Sequence, residues 1–183
     1  TGGARAPRAR LQMIHDGYDV LVTQWNASET RTTVHRVTYD LSDVIQIYDG
    51  YGRCCVEPDA LEPDRLWLAT PSGLLESDDR GSMWEQRTTT EVTWVISDWD
   101  GVTLFTESGT YRYAGGVLVY TGACPGRIRW ASNEPVEPER LLVSDGESMW
   151  FTPNYGASWT DVVPLPSGVP DRLQMLPRLE YEL

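Results

Sequence analysis

Among the 183 residues, side chains able to do chemistry are scattered rather than clustered. Asp16, Asp98, Asp100, Glu107 and Asp145 could supply a paired acid and base, one carboxyl giving a proton and another activating water. Spacing in sequence does not show which of them converge, so only their number supports them. Asp98-Trp99-Asp100-Gly101 offers oxygens to a cation, but fewer than a calcium shell takes. It is read as a tight turn between two strands. Cys54, Cys55 and Cys124 lack the C-x-x-C spacing of a zinc site. They are read as small buried thiols, with a bridge from Cys54 or Cys55 to Cys124 as the alternative in an oxidising compartment. His15 and His35 stand apart from any Ser or Cys nucleophile motif and are read as strand histidines. Trp25 and Arg31, in the longest polar turn, are the pair best suited to binding, because Trp and Arg concentrate interface energy. The sequence thus assigns no catalytic residue, no metal and no cofactor.

The elements that position these residues are repeats. Ser77-Asp78-Asp79-Arg80-Gly81-Ser82-Met83-Trp84 fits S-x-D-x-G-x-x-W, and Thr152-Pro153-Asn154-Tyr155-Gly156-Ala157-Ser158-Trp159 fits it 75 residues later with Thr for Ser and Asn for Asp. The match extends backwards without a gap, Glu62-Pro63-Asp64-Arg65-Leu66 lying over Glu137-Pro138-Glu139-Arg140-Leu141. Val102 to Arg112 forms a third copy, 36 residues after the first, in which Thr106, Ser108 and Gly109 repeat Thr70, Ser72 and Gly73. Its last turn has shrunk to Ala114-Gly115-Gly116 and lost the motif. A fourth, degenerate copy runs from Asp19 to Tyr39. Each copy opens with one more strand, at Leu11–Ile14, Cys54–Val56, Val92–Ile96 and Ile128–Ala131. Arg172-Leu173-Gln174-Met175 then repeats Arg10-Leu11-Gln12-Met13 verbatim.

Four strands per unit of about 35–45 residues is the pattern of a β-propeller blade. The expected fold is therefore all-β: a β-propeller of four-stranded antiparallel blades, four blades plus a strand of a fifth. The single segment 1–183 divides into blades near 10–52, 53–91, 92–126 and 127–171, with 172–183 opening a further blade. Gly and Pro, 16 and 12 residues, are spread along the chain as short strands and turns require. A net charge of −12, with every cation an Arg, argues against nucleic acid. Runs such as Val117–Tyr120 are too short to cross a bilayer. No apolar segment follows the three arginines of Thr1–Arg10, so that stretch does not read as a signal peptide.

The two motif turns with their Glu-Pro-Asp-Arg-Leu-Trp-Leu-Ala-Thr lead-in resemble the Asp-box (BNR) repeats of the sialidase-like and sortilin-like propeller superfamily, over residues 62–87 and 137–162. The resemblance implies a propeller of six or more blades, of which this chain would be part. It implies that Ser77, Asp79, Gly81, Trp84, Thr152, Asn154, Gly156 and Trp159 are structural, on the face opposite the usual ligand site. That site would be formed by the loop Trp25–Thr33, the turns at Ser72, Ser108 and Glu147, and the connectors 88–91, 121–126 and 163–170. A sialidase would need an Arg-Ile-Pro entry motif; Arg127-Ile128-Arg129 lacks the Pro and comes too late. Other glycosidases on this fold use two carboxylates set about 5 Å or about 6.5–9.5 Å apart.

The expected function is a non-catalytic binding or scaffold module in a surface, secreted or virion assembly. Its partners would be protein subunits that complete or cover the propeller, or a glycan. A glycoside hydrolase domain with catalytic residues partly outside the chain is the alternative.

Overall fold

A computed structural model of the protein describes residues 8–13 and 19–162. These form sixteen strands in four antiparallel sheets, each built from four consecutive strands joined by hairpins. The first sheet holds β1 (Arg8–Met13), β2 (Asp19–Trp25), β3 (Arg31–Thr38) and β4 (Val44–Tyr51). The second holds β5 (Cys55–Pro58), β6 (Leu66–Thr70), β7 (Gly73–Ser77) and β8 (Glu85–Thr88). The third holds β9 (Trp94–Asp98), β10 (Gly101–Phe105), β11 (Thr110–Ala114) and β12 (Val117–Gly122). The fourth holds β13 (Trp130–Asn133), β14 (Leu141–Ser144), β15 (Met149–Thr152) and β16 (Thr160–Val162). The protein is an all-β, four-bladed β-propeller with no helix among the described residues. Among the described residues no helix is long and apolar enough to cross a membrane. The expected opening strand of a fifth blade, Arg172–Met175, lies outside the described residues, as do connector 163–170, His15 and Asp16.

Side-chain period and burial agree strand by strand. Asp19, Leu21, Thr23 and Trp25 alternate inward along β2, the period-two pattern of a sheet with one covered face. In β6 and β9 every residue is buried, because neighbouring blades cover both faces. Outer strands β8 and β16 are short and carry charge, which blunts their open edges. Leu21, Val34, Ile47, Val56, Leu66 and Leu68 join the first two blades in one apolar cluster. Trp67, Leu74, Trp94, Phe105, Ile128 and Leu141 join the second, third and fourth in another. Burying each such side chain contributes roughly 1.5–3 kcal/mol.

Innermost strands meet around a buried polar knot. Arg10 donates to Glu57 Oε2 at 3.2 Å and to Cys55 Sγ at 3.0 Å, and lies 4.7 Å from the Trp94 ring centre. Gln12 donates to the same Glu57 oxygen at 2.7 Å. Burial raises the Glu57 carboxyl despite Arg10, and pushes the Cys55 thiol up to about 11. A nucleophilic thiolate is disfavoured there.

Candidate functional site

The repeated turn is built alike in both copies. Ser77 Oγ accepts the Gly81 N–H at 2.8 Å and donates to Asp79 Oδ1, which accepts the Met83 N–H at 2.8 Å. In the fourth blade Thr152 Oγ1 accepts the Gly156 N–H at 3.0 Å and donates to Asn154 Oδ1, which accepts the Ser158 N–H at 3.0 Å. Arg80 and Tyr155 precede the glycines with φ of 58° and 52°, and their N–H groups donate to Asp64 O and Glu139 O, each at 2.8 Å. The side-chain oxygens satisfy backbone donors that a turn this tight leaves bare.

Each turn docks on the preceding blade. Trp84 donates its indole N–H to Ile47 O of the first blade at 2.8 Å and meets Tyr48 edge-on. Trp159 donates likewise to Ala123 O at 2.8 Å, beside Phe105 of the third blade. An arginine of the preceding blade's third strand supports each dock. Arg36 donates to Arg80 O at 3.2 Å, and the Arg112 guanidinium lies 4.1 Å from the Tyr155 ring centre. Burial pushes the Tyr155 hydroxyl up to about 12.

The third blade has no such turn to lay on the second. Where it would sit, the short Ala114–Gly116 turn lines a cleft of about 510 Å³. Trp67 and Tyr113 form the floor, ring centres 5.7 Å apart and edge-to-face. The β9–β10 hairpin makes one wall and presents Trp99, 56% exposed. That wall is braced from behind: Arg112 grips Asp98 through two hydrogen bonds of 2.6 and 3.1 Å and lies 3.6 Å from Asp100. Opposite, Glu76 is held by Arg65 at 3.0 Å and by Arg87. Asp59 accepts the Trp67 indole N–H at 2.7 Å and the N–H groups of Leu61 and Glu62. The floor and both walls lie in or beside the first-to-second and third-to-fourth strand turns, at that end of the strands, so the cleft opens on the face opposite the one expected for ligand.

Of the residues singled out by sequence, Asp98 and Asp100 reach this cleft together. Glu107 pairs with Arg127 at 3.2 Å on the other face. Asp145 caps its own turn, accepting the N–H groups of Glu147 and Ser148. His35 lies in β3 opposite Gln46. Trp25 is 5% exposed, donates to Cys54 O at 3.0 Å and lies under the Arg53 guanidinium, packed against the chain that leads into the second blade. Arg31 is exposed and donates to Asp49 Oδ1 at 2.7 Å. The three cysteines are free thiols, two of them buried. No group of three metal-ligating side chains occurs among the described residues. Sequence reasoning passed over Trp67, Glu76, Arg87 and Tyr113. The signal that could have found them is the lost turn at Ala114–Gly116, which marks a missing plug.

No protein-family model and no curated protein matches the sequence. Among solved structures, it is similar to the uncharacterized protein lmo1340 from Listeria monocytogenes EGD-e, at 10% identity and a TM-score of 0.44, over 83% of this chain and 51% of that one. The chain spans about half the length of that protein.

Proposed function

We propose that the protein is a non-catalytic binding module whose ligand seats in the cleft between its second and third blades. The observation that carries this reading is the unplugged joint, a concave site with an exposed aromatic wall between two plugged joints. The chemistry of the lining favours binding over hydrolysis. Asp98 and Asp100 share one arginine, and the Asp98 side chain is 1% exposed. Glu76 is tied by two arginines and Asp59 accepts N–H donors from Leu61, Glu62 and Trp67, so both carboxylates are already committed to partners within the protein. The glycosidase reading needs one carboxyl free to act as acid, and this cleft supports it less well. A surface, secreted or virion assembly is the setting that completes the proposal.

The test pairs protein and glycan arrays with an aryl-glycoside hydrolysis screen. The expected result is array binding that disappears in Trp99→Ala and in Ala114→Trp, which fills the cleft, without turnover of any glycoside. Hydrolysis abolished by Asp98→Asn or Asp100→Asn would overturn the reading.

A further inference from the structure

We propose that the occupant of this cleft is a cationic side chain, a guanidinium or ammonium, presented by a protein partner. This rests on the reading of the cleft as the ligand seat and names the ligand class. The argument begins with one position repeated in three blades. Arg36 faces Leu21 across β2 and β3, Arg112 faces Thr103 across β10 and β11, and Glu76 faces Trp67 across β6 and β7. Glu76 and Arg112 are 36 residues apart, the same offset that relates their two copies. At both plugged joints this position is an arginine supporting the incoming turn. At the open joint it is a carboxylate, so the residue type at this docking position is reversed in charge.

The rest of the lining agrees with that sign. Asp59, Glu62, Glu76, Asp98 and Asp100 line the cleft against Arg65 and Arg87. Those five carboxylates face three guanidinium groups, Arg65, Arg87 and Arg112, so the lining keeps a net negative charge, with Glu62 and Asp100 on its exposed side. Beside Asp100 the exposed Trp99 ring offers a π-face to a cation. The same chemistry recurs inside the molecule, where Arg10 lies over Trp94, Arg53 over Trp25 and Arg112 over Tyr155. A net charge of −12 steers basic partners towards this surface and repels acidic ones.

The experiment titrates the protein with N-acetyl-arginine amide, N-acetyl-glutamine amide and cellopentaose, following the indole N–H resonances of Trp99 and Trp67. The expected result is saturable movement with the arginine amide alone, weakened roughly tenfold by Asp100→Asn and suppressed by added salt. Ala114→Trp, checked for folding by its melting curve, abolishes it. Movement with cellopentaose and not with the arginine amide would overturn the cationic occupant while leaving the cleft as the seat. Equal response to the arginine and glutamine amides, or none to any probe, also overturns it. Array binding that is indifferent to Ala114→Trp would instead remove the seat itself.

Discussion

At the joint between the first and second blades, an indole, a guanidinium and a glycine turn fill the space between two sheets. At the next joint the same space is empty. The two differ by the few residues that separate the Ser77–Trp84 turn from Ala114-Gly115-Gly116. At the first joint an added Cβ on Gly81 would lie 2.7 Å from Ile47 Cδ1, whereas at the second a Cβ on Gly116 would meet nothing within 4 Å. The glycines have nearly equal φ, +88° and +83°, so conformation is common to both and packing is what differs. A repeat that has lost its plug keeps the strands, because cross-strand pairing and the apolar core hold them. It gives up only the seal, and the seal is where a ligand can enter.

Removing the plug should therefore have the largest effect. Trp84→Ala and Trp159→Ala should each cost about 3 kcal/mol, since each deletes a packed ring and strands a carbonyl acceptor. Trp99→Ala at the open joint should stay within about 0.5 kcal/mol, as an exposed side chain does. Urea unfolding of the three variants measures this, and equal losses would erase the distinction between joints. A smaller contrast is expected at the glycines. Gly81→Ala combines a disfavoured φ with a clash, about 2–3 kcal/mol. Gly116→Ala meets the φ penalty alone, about 1 kcal/mol. A thermal melt that ranks them the other way would mean that the second and third blades are packed more tightly than the cleft indicates.

Much of this is legible in the sequence. The 75-residue match places both turns between third and fourth strands, since the motif oxygens, glycine and Trp make one local device whatever surrounds it. The reduced turn at Ala114–Gly116 was equally visible. Its consequence was not, because a missing turn shows as a gap only once it is known which neighbour the intact copies lie against. Glu76 stayed hidden for a related reason: its register partner Trp67 and the blade it faces are long-range facts. Trp25 stands out in the sequence by its company, a polar loop with Arg31, whereas the bond of its indole to Cys54 O is a long-range fact. The expected ligand face came from resemblance, whereas the cleft arises from a local departure from the repeat.

Within the plugs, finer differences should appear. Ser77→Ala leaves the Gly81 N–H without its acceptor and should cost about 1 kcal/mol, as Thr152→Ala should by stranding Gly156. The smallest contrast separates Asp79 from Asn154, which accept the same bonds with and without a charge. The Met83 N–H, then the Ser77 hydroxyl, hold the Asp79 carboxyl below its usual range. A carboxyl whose folded value is depressed stabilises the fold above the unfolded value of about 3.9, and that contribution is lost as pH falls through the lower folded value. Asn154 has no charge to lose. Asp79→Asn should thus lower the urea midpoint slightly at neutral pH and converge with the parent in strong acid, while Asn154→Asp should bring the same acid dependence to the fourth blade. Parallel midpoint curves from about pH 7 to about pH 2 would mean that the second-blade turn draws its stability from shape and packing, with the carboxylate charge contributing nothing.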